Sequence, residues 1–431
     1  MSKRQEDKMN DVIKKTPLHA WHVANGAIMA DFGGYEMPLW YGSVVNEHLS
    51  VVATAGIFDT SHMALVLVSG PQAYHLLQWC FSRDMDAVVA ENRDADAAGR
   101  CCYGVFLNDK GEVIDDSIVY KFAGDRYIAV VNAGMGPAIA AHLTAHNANF
   151  SAVVKDLTDQ VGKIDVQGPH AAKIIAQVLA DPQTAFKNLP YFAFKGHFDP
   201  TSGSADSVRL RDGTPILLSR TGYTGEFGFE IFVTSELVVK LWKQILDAGQ
   251  DLGIVACGLA ARDSLRGGAV LPLSHQDIGP WLFVNNPWSF ALPFTSDQKG
   301  FTKTFIGDNA LLNVKAPEYT YAFVGNDLRK VSTQDPALVL DDQGNEIGRV
   351  LTCVSDMAIG RHQDRIYSIA SPGKPQGFKP KGLCCGFVKV TTKLAIGQTI
   401  HIKDNRRNLR VAVTDDIRPD RTARRPIKEM L

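Results

Sequence analysis

The sequence predicts an α+β protein: duplicated antiparallel-sheet/helix units followed by a C-terminal antiparallel β-barrel. Three observations predict it. Val68-Ser69-Gly70-Pro71-Gln72-Ala73 recurs 98 residues later as Val166-Gln167-Gly168-Pro169-His170-Ala171. Each copy follows an alternating strand (MALVLV, KIDV) and precedes an apolar helical pattern (AYHLLQWCF, AAKIIAQVLA). Beyond about residue 315, β-rich runs such as TYAFVG, RVLTCV, GLCCGFVKV and LRVAVT follow one another without a convincing helix.

The elements follow in order. Gly-Pro is a natural strand-to-helix joint, because proline at a first helical position needs no amide hydrogen bond. After the first copy, GVFLNDKGEVIDDSIVYKF and RYIAVVNA read as strands with turns at Asp109-Lys110-Gly111 and Ala123-Gly124-Asp125. A helix is expected from Gly136-Pro137. After the second copy come SVRLRDGTPILLS and GFEIFV. The helix SELVVKLWKQILDAG is then expected to be capped at Ser235-Glu236 and closed by Gly249. The domain boundaries read from this pattern are 16–310 for two interleaved α+β units and 316–431 for the barrel. From Lys403 to Lys428, nine Lys/Arg against four Asp make the tail basic.

Composition narrows the functional classes. The 431 residues are 45% hydrophobic and 21% charged, which excludes disorder as the dominant state. With 45 Lys+Arg against 46 Asp+Glu the net charge is −1, so the basic excess of a nucleic-acid binder is missing. Seven cysteines without a C-x-x-C read as free thiols of a reducing cytoplasm. The first fifteen residues lack the apolar core of a secretory signal, and no run approaches 18 apolar residues. A cytoplasmic protein without a membrane anchor is expected.

Few residues carry chemistry. Asp115-Asp116 sits in a strand, where alternation sends the two carboxylates to opposite faces. One is then aimed at the core or a cavity, and a buried carboxylate is costly unless bonded; a solvated strand with both acids exposed is the alternative. The loop Arg220-Thr221-Gly222-Tyr223-Thr224-Gly225-Glu226-Phe227-Gly228-Phe229-Glu230 lets backbone approach a flat ligand, with Glu230 a bidentate acceptor for an amino-heterocycle; the alternative is an ordinary glycine-rich hairpin. Arg262 and Arg266 share a helical face and suit a carboxylate ligand or, equally, a salt bridge to Asp263. His48 and His62 stand apart from other metal ligands and read as structural, and no metal site is expected.

Six segments together resemble one family. They are 16–51, 55–63, 110–120 (KGEVIDDSIVY), 166–169, 219–231 (SRTGYTGEFGFEI) and 258–266 (GLAARDSLR). They look like the T-protein of the glycine cleavage system, the tetrahydrofolate-dependent aminomethyltransferase. The resemblance implies a three-domain cloverleaf with tetrahydrofolate in its central opening. By it, Asp115 is the catalytic acid of V-I-D-D and Glu230 holds the pterin. Arg262 holds the ligand's glutamyl part, and Tyr103, Asn132 and Tyr223 line the pocket. It also implies a lipoyl carrier, the H-protein, as partner and 5,10-methylenetetrahydrofolate and ammonia as products. Two departures stand out: Gly267-Gly268-Ala269-Val270 and Ser274-His275-Gln276-Asp277-Ile278 replace the family's L-E-A-G and Y-G-x-D-I. The aromatic run 281–290 also keeps open an alternative, demethylation of a small methylated amine, sulfonium or aryl ether by an aromatic box.

Overall fold

The computed structural model describes residues 13–86, 99–122, 125–202 and 207–431. The expected turn at Ala123-Gly124 and residues 1–12 lie outside the described residues. In chain order the strands are β1 (Ile28–Phe32), β2 (Tyr35–Trp40), β3 (Ala55–Asp59), β4 (Ala64–Ser69), β5 (Gly99–Leu107), β6 (Val113–Lys121), β7 (Arg126–Val131), β8 (Val153–Asp156), β9 (Val161–Gln167), β10 (Ala193–Gly196), β11 (Leu217–Ser219), β12 (Gly228–Thr234) and β13 (Ile254–Ala256). The helices are α1 (His19–Ala24), α2 (Val44–Ala53), α3 (Ala73–Cys80), α4 (Gly136–Ala145), α5 (Ala171–Val178), α6 (Pro182–Phe186), α7 (Val238–Gly249), α8 (Leu259–Gly268) and α9 (Asp308–Leu312).

Strands β3 to β13 form one sheet in the order β13-β3-β9-β12-β11-β10-β5-β6-β7-β4-β8. The duplication is visible in that order. Reading outward from the central pair, β5-β6-β7-β4 on one side mirrors β10-β11-β12-β9 on the other. The halves join through two residue pairs, Ala193 with Arg100 and Phe194 with Gly99. All pairings are antiparallel except β13 with β3 at one edge.

The repeated Gly-Pro is a turn in both places. Gly70 and Gly168 adopt φ +106° and +129°, values that favour glycine, and their carbonyls accept from the amides of Ala73 and Ala171. Helices α3 and α5 therefore begin two residues after the prolines rather than on them. Likewise Ser235–Leu237 forms a 3₁₀ turn, and α7 starts at Val238 without a side-chain cap. Helix α7 turns Val238, Leu241, Trp242 and Ile245 onto the second half of the sheet, alongside Ile174 and Ile175 of α5. Each such fully buried side chain contributes about 1.5–3 kcal/mol. Helices α3 and α4 cover the first half in the same way, through Leu76, Leu77, Ile139 and Leu143.

The chain then forms a closed six-stranded barrel, β14 (Tyr319–Val324), β15 (Leu338–Leu340), β16 (Glu346–Asp356), β19 (Leu383–Val390), β20 (Thr399–Lys403) and β21 (Asn408–Thr414), around Phe323, Val339, Val388, Ile400 and Val411. Strands β17 (Ile359–His362) and β18 (Arg365–Ser368) make a separate hairpin. Beyond Thr414 the tail leaves the barrel and returns to the sheet. There Ile427 and Met430 join the core of its second half. Among the described residues no helix is long and apolar enough to cross a membrane.

Candidate active site

A cavity of about 1900 Å³ opens between the sheet, the β1–β2 hairpin, helix α8, the 270–294 segment and the C-terminal tail. Two charged clusters face it, one from each half of the sheet.

The first is the acid pair of β6. The β5–β6 register slips opposite Ile114, just before Asp115, and such bulges re-aim neighbouring side chains. Asp116 lines the cavity, whereas Asp115 is fully buried behind it and does not. Both carboxylates converge on Asn132, just past the end of β7. Its Nδ2 donates to Asp115 Oδ1 at 2.8 Å and to Asp116 Oδ1 at 2.7 Å, and its amide to Asp115 Oδ2 at 2.9 Å. Tyr103 donates to Asp116 Oδ2 at 2.8 Å and Ser274 to Asp115 Oδ1 at 3.0 Å. Burial, and then the charge of Asp115, push the Asp116 carboxyl up to about 6.

His275 extends this cluster. Its Nε2 lies 3.5 Å from Asp115 Oδ1, its side chain is 44% exposed, and it lines the cavity. Its backbone sits at φ +62°, in the left-handed region that few non-glycine residues adopt, histidine more often than most. The Asp115 carboxylate raises its pKa above the usual imidazole value.

The second cluster is a chain of alternating charges. Glu230 accepts from Lys163 Nζ and Thr221 Oγ1 at 2.5 Å each and from Tyr120 at 3.2 Å. Lys163 Nζ also donates to Asp165 Oδ1 at 2.7 Å, and Arg262 donates to Asp165 Oδ2 at 2.6 Å. Lys163 and Arg262 hold the Asp165 carboxyl well below the usual range, against its burial. Arg262 stacks 4.9 Å from the Tyr223 ring centroid, and the Tyr223 hydroxyl donates to the Pro272 carbonyl. Arg266, expected to share Arg262's task, is fully buried instead. It is bound to Asp263, Asp277 and Thr352, so the salt-bridge reading applies to it.

The glycine-rich loop is pinned from far along the chain. Thr422 Oγ1 donates to Glu226 Oε2 at 2.6 Å, and the buried Arg418 bridges Glu226 at 3.1 Å and Asp356 at 2.5 Å. His48 binds the same Asp356 at 2.9 Å and Ser264 at 2.7 Å, a structural role as expected. Arg421 and Arg424 carry the basic tail to the cavity wall. His62 also lines the cavity. Burial pushes its pKa down to about 4, and its Nδ1 has no hydrogen-bond partner.

The structure gathers Asp116, Glu230, Arg262, Tyr103, Asn132 and Tyr223 on one cavity, with Asp115 one layer behind. Sequence reading missed Lys163 and Asp165. The signal available was two charges in an otherwise apolar strand, K-I-D-V. The aromatic box does not form from its tryptophans. Trp288 is buried against Phe387 at 5.0 Å and donates to the Val270 carbonyl, while Lys389 and Arg349 cover the Trp281 ring.

Residues 18–283 match the model of the GCVT N-terminal domain family. The chain belongs to that family. Its similarity runs well past the matched domain. An aminomethyltransferase of Symbiobacterium thermophilum is 35% identical over 80% of this chain and 86% of its own length. One from Streptomyces coelicolor is 39% identical over 62% of this chain and 65% of its own length. The crystal structure of glycine cleavage system aminomethyltransferase T from Bartonella henselae superposes with a TM-score of 0.71. It is 27% identical and covers 93% of this chain and 97% of the other. The likeness to that structure, covering 93% of this chain, extends past the matched domain into the barrel.

Proposed function

We propose that the chain transfers a one-carbon unit to tetrahydrofolate from an aminomethyl group on the lipoyl arm of a carrier protein. The products are 5,10-methylenetetrahydrofolate, ammonia and the dihydrolipoyl carrier. The observation that carries this reading is the juxtaposition of the two clusters on one cavity. Glu230 supplies the acceptor that an amino-pterin needs, held in place by Lys163. Arg262, with Arg421 and Arg424, supplies cations for a glutamyl tail. At about 1900 Å³ the space exceeds the roughly 300–1,000 Å³ of an ordinary ligand pocket, leaving room for a carrier arm beside the folate.

The stoichiometry states what the residues must do. Joining one carbon to N5 and N10 frees two protons, and ammonia and the thiol each take one up. In this reading Asp116 meets the folate nitrogens, stabilises the positive charge that grows as the carbon becomes iminium-like, and accepts a proton. Asp115 keeps Asn132 and His275 in place from behind Asp116, and His275 returns a proton to a leaving group. Pterin-binding by Glu230 and catalysis by the acid pair are thus separate duties.

Mass spectrometry of the folate product tests the reading. Purified protein, tetrahydrofolate and an aminomethyl-loaded lipoyl carrier should give methylenetetrahydrofolate and ammonia at catalytic turnover. Bound folate without product would overturn it.

A further inference from the structure

On the outer face of the sheet's first half, away from the cavity, three metal-ligating side chains meet. Cys80 ends α3. His142 lies in the last turn of α4 and His146 just beyond its end, spaced four residues apart and therefore on one side of the helix. Cys80 Sγ and one ring nitrogen from each histidine all lie within 4.8 Å of one another. The two imidazole centroids are 4.8 Å apart.

The state of each donor points the same way. His142 Nε2 is buried and has no hydrogen-bond partner. His146 Nδ1 donates to the His142 carbonyl at 2.9 Å, which leaves its Nε2 lone pair free. The duplicated half provides a control. Ninety-eight residues after Cys80, Val178 ends α5 inside an apolar core with Ile174, Leu241 and Ile245. The frame itself therefore asks for no polar donors at this corner.

We propose that Cys80, His142 and His146 form a three-ligand site for a borderline-soft divalent cation, zinc, with water in the fourth position. A thiolate and two imidazoles suit zinc, whereas magnesium and calcium demand oxygen ligands. Zn–S and Zn–N bonds of about 2.3 and 2.0–2.1 Å require the donors to draw in by about 1 Å, which side-chain rotation supplies. Burial pushes the Cys80 thiol up to about 12, and the nearby Lys303 charge acts against that. Binding therefore releases the thiol proton to solvent. Both histidines are half-buried, so the ion enters from the surface. None of the donors lines the cavity, and the ion would tie the end of α3 to the end of α4.

Cobalt(II) titration of the full, chelator-treated chain is the test. One equivalent should give tetrahedral d–d bands and a thiolate-to-cobalt charge-transfer band, zinc should displace both, and zinc should raise Tm. His146→Gln should weaken binding more than about tenfold, and Cys80→Ser should abolish the charge-transfer band. Cys353→Ser in the barrel should leave both intact. An absent charge-transfer band, or one that survives Cys80→Ser, overturns the site. Should Cys80→Ser fold poorly, unchanged affinity in His146→Gln overturns it equally.

Discussion

The two halves of the sheet share a frame and differ in charge. In the first half, Asp115 and Asp116 are like charges buried side by side, and the cavity-facing member is pushed up to about 6. In the second half, Asp165 is as deeply buried but lies between Lys163 and Arg262, and its carboxyl falls well below the usual range. Burial acts on both carboxylates in the same sense, and the neighbours decide the outcome. One half is thereby equipped to move protons near neutral pH. The other sets acids against bases in an arrangement that suits binding.

Substitutions can break this contrast, and the greatest cost is expected in the second half. Asp165→Ala leaves Lys163 and Arg262 facing each other without their anion. It should destabilise the fold by about 3–5 kcal/mol, read as a lower denaturation midpoint; an unchanged midpoint would remove the chain of charges as a structural element. In the first half, Asp116→Asn should lower kcat by about 10²–10⁴ while folate affinity stays within a few-fold. Asp115→Asn, acting through Asn132 and His275, should cost less. Equal losses would place the chemistry on the pair as a unit rather than on the cavity-facing acid.

Glu230→Ala should weaken folate binding by roughly ten- to a hundredfold, the range expected when a charge-assisted acceptor is removed and Lys163 is left unpaired. Calorimetry reads it directly, and an unaltered Kd would contradict the pterin role. The smallest effects concern pH. Asp116 must be ionised to accept a proton, so kcat/KM should rise as pH increases through about 6, and Asp116→Asn should flatten that limb. The same raised carboxyl works against the fold: the stability it contributes when protonated, present below about pH 4, is lost as pH rises through about 6. His275 acts as imidazolium, so kcat should fall on the alkaline side above its raised pKa. His275→Gln should erase that limb with a several-fold loss in rate.

The frame was readable because it repeats. Gly-Pro flanked by a strand and a helix states the same turn twice, and positive φ at both glycines is what makes it recur. The glycine-rich loop pointed to a ligand only through the family motif it carries, because three glycines among aromatics suit an ordinary hairpin as well. The distinction between Asp115 and Asp116 was not readable, because alternation sends them to opposite faces without saying which face is the cavity. Lys163 and Asp165 escaped because alternating charges in a strand look the same whether they face water or each other. Cys80 and His142 escaped because their helices meet only after two intervening strands and a third have paired.

The loop carrying Glu226 is secured by Thr422, 196 positions later in the chain. As the chain leaves the ribosome, the sheet can pair and the barrel can close while this loop still lacks its clasp. Completion of the cavity therefore waits until residues 418–422 have emerged. A chain cut shortly before Arg418 would lack this clasp and present an unfinished wall to any ligand.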